Sequence, residues 1–374
     1  MSETKSDFDV LRSIQKHISR LKPRFPKWAV IGIGEYAADI IFKGVVINGE
    51  GIKILIGRPS ISVLESNKFS HEALDTLDIE GNYFQSFFWF NILPKTMKDD
   101  NFVKKLKDKS LHTVRNALIL SATWDGIGSG FPSALVSRFS SWNIKSMVVA
   151  LLPSKAQPPV AHFNALAAVG LCVNKGAVPT LLIDRDYLEN YIGVCRKGAI
   201  VKGREIINIL IELILSKETF FEEITTLSKS FDTKVYTVLL SAGASLRVYG
   251  SLHNIFRTAL LRPLLNFDLS TATVVYVISR IPLSLRNKLS KEHIEGATAD
   301  WFKELSSLKS IHVSDPLFVD DINDRIDIAI FIGGFKTAKT LSFSKEKCSE
   351  LKDDMVRRGI LSSEEWQEIV KDLM

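Results

Sequence analysis

Two short glycine-bearing stretches are where the residue types and spacing of this chain could do chemistry. The first is WAVIGIGEYAADIIF, residues 28–42, an apolar run that meets Gly32 and Gly34 and passes into a helical pattern. The second is ALILSATWDGIGSGFPSALVSRF, residues 117–139, a buried strand that runs into WDGIGSG and then a helix. Pro132 falls near the first turn of that helix, where proline is tolerated. Gly126, Gly128 and Gly130 with Ser129 would give exposed backbone N–H groups and one hydroxyl at a helix N-terminus, which suits a polyphosphate. A tight turn that merely needs glycine is the other reading of the same residues. The first stretch, taken alone, also satisfies GxGxxA with Ala37 in third place, the fingerprint of a dinucleotide site. A dinucleotide-dependent oxidoreductase would then need an acid at the end of the next strand. The chain has Gly57, Arg58 and Pro59 there, and nothing later offers a hydride-transfer site.

The elements that must position these loops follow from the apolar pattern. Runs at 28–33, 52–56, 84–92, 117–121, 146–152 and 179–183 alternate with helical stretches. That predicts an α/β fold with a doubly wound, mostly parallel nucleotide-binding sheet, residues 28–202. Residues 203–230 contain no glycine or proline after Gly203 and predict one long central helix. Residues 231–342 predict a second, smaller α+β domain with helices at 234–249, 253–265 and 290–307 and strands at 272–279 and 325–333. The C-terminal tail, 343–374, reads as two short helices around Gly359, the second opened by a capping box of Ser362 and Glu365. Its apolar positions, Trp366 among them, must pack on something. The chain's own second domain and a protein partner are the two candidates.

Composition narrows the function classes. With 374 residues, 46% hydrophobic and 24% charged, the chain is long enough for two packed domains and too apolar to be disordered. Cys172, Cys195 and Cys348 are too widely spaced for a disulfide framework or a metal knuckle, and the seven histidines form no ligand spacing, so no metal site is expected. The formal charge of +6 is concentrated in residues 1–27, where Val10, Leu11, Ile14, Ile18 and Leu21 recur at helical spacing. A basic N-terminal helix packed on the domain accounts for it without a nucleic-acid partner. Mixed charges at the N-terminus exclude the apolar centre of a secretory signal, and no apolar run reaches spanning length, which predicts a cytoplasmic location.

WDGIGSG resembles the GGGTG(T/S)G signature of the tubulin/FtsZ superfamily, and it follows the fourth strand as it does there. The first loop is similar to that family's opening GxGGxGxN, matched at Gly32 and Gly34. FNALAAVG, 163–170, resembles its NA-containing helix, and TLLIDRDYLENYI, 180–192, its I-D-N-(D/E)-x-L segment, matched at Ile183, Asp184, Asp186 and Leu188. RPLLNFDLSTATVVYVIS and DDINDRIDIAIFIGGF look like its second domain, so the resemblance spans about residues 28–335, nearest to divergent archaeal FtsZ-like proteins. It implies GTP or GDP as ligand. Gly32, Gly34, Gly126, Gly128, Ser129 and Gly130 would lie at the phosphates, Asp186 in the segment beside the base, and Asn208 on the guanine.

The departures from the family pattern carry as much meaning. Glu35, Tyr36, Ala37 and Ala38 replace glycines of the first loop and Asp39 its asparagine. Asp125 and Ile127 replace a glycine and a threonine of the second, and Arg185 stands where the family has a guanine-binding asparagine. A carboxylate about 4 Å from a phosphate charge costs on the order of 4 kcal/mol at an effective dielectric near 20. The family's hydrolytic loop, N-x-D-x-x-D, lies about twenty residues beyond the guanine contact. That points here to SKSFDTKVY, 228–236, which holds the single carboxylate Asp232. The resemblance therefore implies a cytoskeletal or cell-division protein that assembles with itself, with degenerate phosphate loops, no catalytic acid pair and weak or absent GTP hydrolysis. A non-polymerising pseudo-GTPase that serves as a protein-binding module is the alternative.

Overall fold

The computed structural model describes residues 28–44, 51–56, 74–77, 88–98, 100–108, 111–174, 178–321 and 323–373. The expected N-terminal helix and the Arg58 turn lie outside them. In chain order the first elements are β1 (Trp28–Ile33), α1 (Glu35–Gly44), β2 (Gly51–Ile56), β3 (Leu74–Leu77), α2 (Trp89–Lys98), α3 (Asp100–Asp108), β4 (Asn116–Ala122), α4 (Gly126–Ser141), β5 (Lys145–Leu152), α5 (Pro159–Asn174), β6 (Thr180–Asp184) and α6 (Arg185–Glu189). A two-stranded ribbon, β7 (Ile192–Val194) with β8 (Ile200–Lys202), leads to α7 (Glu205–Ser216) and α8 (Phe220–Ser230). Then follow β9 (Val235–Ser245), α9 (Leu246–Tyr249), α10 (Leu252–Leu261), β10 (Val274–Pro282), α11 (Lys291–Phe302), β11 (Ser310–Val313), β12 (Leu317–Val319) and β13 (Arg325–Gly333). The tail holds α12 (Thr337–Thr340), α13 (Ser342–Lys347), α14 (Ser349–Arg357) and α15 (Ser363–Val370).

One sheet runs through the molecule in the order β11-β10-β13-β9-β6-β5-β4-β1-β2-β3, with β12 paired to β10. From β3 to β9 all pairings are parallel, whereas β13 runs antiparallel to both β9 and β10. Parallel strands are covered on both faces, so they read as continuous apolar runs. In β1, Ala29, Ile31 and Ile33 enter one core and Val30 the other. The chain reverses direction across the sheet between β1 and β4, whose carboxyl ends therefore flank a switch-point crevice, the usual place for a ligand in such sheets.

Four sequence expectations need correction. Residues 89–92, expected in a strand, open helix α2, because Trp89, Ile92 and Leu93 at helical spacing bury one face. The stretch 234–249, expected as a helix, is strand β9 and the short α9. β9 is buried on both faces between β6 and β13, and that pairing overrides the helical look of its Leu-Leu-Ser-Ala run. The long central helix is parted at Lys217–Thr219, where Lys217 is extended. No local breaker marks the place. The bend sets Phe220 fully buried against the rings of Tyr276 and Phe331, 5.6 and 5.2 Å away. The turn after the Asn208 helix is consequently not 228–236, which instead leads α8 into β9. It is the stretch 217–219, with Glu218 in it and Glu222 and Glu223 in the first turn of α8.

The fourth concerns the tail. Its two expected helices are α14 and α15, and the capping box forms in both directions. They dock over α5, and the turn that follows them reaches the start of β9, where Lys234 Nζ donates to Asp372 Oδ2 at 2.7 Å. Trp366 stacks on Phe163, centroids 4.8 Å apart and planes 7° off parallel. Asn174 donates from Nδ2 to the carbonyls of Glu368 and Ile369 at 2.9 and 2.7 Å. With the sheet below and the tail above, α5 buries thirteen of its sixteen residues, which is why it is apolar all round. The apolar face of the tail is thus covered by the chain itself.

Candidate functional site

The crevice is built from three chain segments. β1 ends at Ile33, and Gly34 turns the chain with φ 81°, a left-handed conformation that favours glycine, while its N–H donates to Ile56 O at 3.0 Å. α1 starts at once, so Ala37 and Ala38 are buried beneath it and Tyr36 leans across the crevice half-buried. Gly32 lies just below, where a Cβ would come within 2.9 Å of Ala38 Cα.

The second segment differs from the expected open loop. β4 ends at Ala122, Thr123 is tied to Leu151 O through both N and Oγ1, and α4 begins already at Gly126. Gly126, Gly128, Ser129 and Gly130 are therefore buried helical residues. Asp125 is the N-cap, its Oδ1 accepting the Gly128 N–H at 2.5 Å. The Ser129 hydroxyl, expected at a phosphate, donates back to Asp125 O at 2.5 Å. The glycines themselves answer to packing. A Cβ on Gly128 would sit 1.8 Å from Ala122 O, and one on Gly130 2.6 Å from Ile92 Cβ.

Both glycine segments converge on one carboxylate. A Cβ on Gly34 would lie 2.9 Å from Asp125 Oδ2 while Oδ1 holds the helix N-terminus, so Asp125 fills the gap between the two turns. Burial pushes its carboxyl up to about 6; the N–H donors of Gly128 and Ile127 work against that rise, and the Glu35 charge adds to it.

The third segment follows β6. Asp184 caps α6, accepting from the N–H groups of Asp186 and Tyr187. Arg185, not Asp186, turns toward the crevice. Its guanidinium lies 5.1 Å from the Tyr36 ring centroid and 5.0 Å from that of Trp124, which meet edge-on at 5.2 Å. Arg204 covers Tyr36 at 4.7 Å and bonds Asp39 Oδ2 at 2.9 Å, and the Tyr36 hydroxyl donates to Glu189. Trp124 is held from behind by Asn164 of the NA-bearing helix α5, whose Nδ2 donates to the Trp124 carbonyl at 3.2 Å.

Of the residues expected at the site, the six in the two glycine stretches come together. Asp186 does not join them. Its Oδ2 accepts the Lys155 N–H at 2.9 Å, and it lines a separate cavity of about 620 Å³ with Tyr191, Ile192 and Arg262. Asn208 packs against Gly44 at the far end of α1, with a buried Oδ1 that has no hydrogen-bond partner among the described residues. Sequence reading missed Tyr36, Trp124, Arg185 and Arg204 as one cluster. For Tyr36, Trp124 and Arg185 the signal was bulk and charge at positions where the resemblance called for glycine or asparagine; Arg204 carried none.

These side chains do not fit a guanine nucleotide. The place between the glycine turns is taken by an anion the chain itself supplies, and the adjoining space by an arginine that stands over two aromatic rings. Among the described residues no group of three metal-ligating side chains converges, and no helix is long and apolar enough to cross a membrane.

No protein-family model matches the sequence, and no curated protein matches it. Solved structures do. The chain is similar to CetZ from Methanosaeta thermophila strain DSM 6194, with TM-score 0.67 and 14% identity over 93% of this chain and 99% of that one. It is similar to CetZ2 from Haloferax volcanii in a GTPγS-bound protofilament, TM-score 0.63 and 16% identity, over 88% of this chain and 99% of that one. TubZ from Bacillus thuringiensis serovar israelensis, also a protofilament, gives TM-score 0.57 and 13% identity over 93% and 98%. The chain has the fold of the tubulin/FtsZ superfamily.

Proposed function

We propose that this chain is a tubulin/FtsZ-like cytoskeletal or cell-division protein that assembles with copies of itself without turning over GTP. Support for the first half is the fold, matched along nearly the whole length of proteins solved as protofilaments. The second half rests on one observation, the crevice packed with the chain's own Asp125, Tyr36, Trp124 and Arg185. GTP or GDP, if it displaced them, would have Gly32, Gly34, Gly126, Gly128, Ser129 and Gly130 at its phosphates, with Asn208 and Asp186 needing to move to reach the base. The working division is a nucleotide-fold domain at 28–202, helices at 203–230, a second domain at 231–342 and the tail.

The test is sedimentation and light scattering of purified protein with and without GTP, beside an absorbance ratio for co-purified nucleotide. Assembly independent of GTP, with no nucleotide carried through purification and no phosphate release, is the expected result. Strict GTP dependence would overturn the proposal. A protein that stays monomeric at every concentration would instead favour a pseudo-GTPase that works as a binding module.

A further inference from the structure

We infer that Asp125 is a tethered anion that decides the ligand class of the crevice: its carboxylate takes the place between the two glycine turns and so excludes polyphosphate. The inference rests on the proposed reading that this crevice is a nucleotide site closed by its own chain, and it assigns the closure to one residue.

Two observations carry it. The N-terminus of a sixteen-residue helix presents N–H groups and a positive dipole end, and here an anion already accepts from it, at 2.5 Å from the Gly128 nitrogen. The second oxygen of the same carboxylate reaches across to Gly34, so one side chain spans the gap that separates the two turns. An external phosphate would have to displace Asp125 or sit beside it, and two anions a few ångströms apart repel strongly at low effective dielectric. Glu35, at the start of α1, adds a second negative charge to the same place. Burial raises the carboxyl to about 6, which still leaves it mostly ionised near neutral pH.

Removing the carboxylate should therefore create a phosphate site on a frame that is otherwise in place. The experiment is calorimetric titration of the full chain at neutral pH and about 0.15 M salt with inorganic pyrophosphate and, separately, with GTP. Wild-type protein is compared with Asp125→Gly, which vacates the space, and Asp125→Ser, which keeps a helix cap without charge. Pyrophosphate binding at least tenfold tighter in either variant than in wild type is the expected result. Pyrophosphate reads the space between the turns alone, so GTP adds a gain only if Arg185 also yields. Wild-type protein that binds pyrophosphate as tightly as the variants would overturn the inference, as would a folded Asp125→Ser that gains nothing. Both results are independent of whether wild-type protein sediments without nucleotide, so failure of this inference is distinguishable from failure of the assembly proposal.

Discussion

The crevice between β1 and β4 and the seat of the tail on α5 are both filled by side chains from distant parts of the sequence, yet with opposite chemistry. On α5 the filling is apolar and closely fitted: Trp366 lies flat on Phe163, and Ile369, Val370 and Leu373 are buried. Burial of that kind stabilises, at about 25 cal/mol per Å² of apolar area. In the crevice the filling is a carboxylate, two guanidinium groups and two aromatic rings with polar edges, and burying charge costs unless it is paired. The tail seat therefore contributes stability, whereas the buried carboxylate of the crevice costs some.

Substitutions can break or sharpen that contrast. The largest loss is expected from Gly128→Val, whose Cβ would sit 1.8 Å from Ala122 O, a clash of backbone with side chain that should cost more than about 4 kcal/mol in chemical denaturation. The effect is on folding with or without ligand, so this variant does not report on binding. Next comes Trp366→Ala, expected to cost about 3–5 kcal/mol and to expose the tail to proteolysis. A change below about 1 kcal/mol would mean the tail seat is not a stabilising contact.

Asp125→Asn should act in the opposite direction. The folded carboxyl, near 6, lies above the about 4 of an exposed aspartate, so the native state holds its proton more readily than the unfolded chain. Stability is then lost as pH rises from about 4 through 6. Asparagine keeps the cap without the charge, so it should stabilise by about 1–3 kcal/mol at pH 7 and by little at pH 4. Equal melting curves at both pH values would show that the carboxylate is not strained by burial. The smallest effect is expected from Arg185→Ala, about 0.5–1 kcal/mol for a part-buried guanidinium over two rings, read as a small change in melting temperature. A loss of several kcal/mol would make the arginine a structural element on a par with Trp366.

Legibility differed along the chain for physical reasons. The strands at 28–33 and 325–333 were read to the residue, because a strand buried on both faces has no choice but a continuous apolar run. The capping box at Ser362 and Glu365 was equally plain, since both partners lie within four residues. By contrast β9 looked helical, as only its neighbours β6 and β13 make it a strand. At residues 126–130 the glycines were legible and their state was not. Whether they form an open loop or the first turn of a helix depends on where the Asp125 side chain goes.

The sequence by itself determined the superfamily fold and where its two glycine stretches fall between strand and helix, because both depend on local pattern and on residue types that backbone geometry tolerates. Only the tertiary structure decided that Arg185 rather than Asp186 enters the crevice, that the central helix breaks at 217–219, and that Trp366 finds its partner in Phe163 of α5. Those outcomes turn on contacts between residues far apart in the chain. A neighbouring pair such as Arg185 and Asp186 carries no local signal of which side chain will meet a ring as distant in the sequence as that of Tyr36.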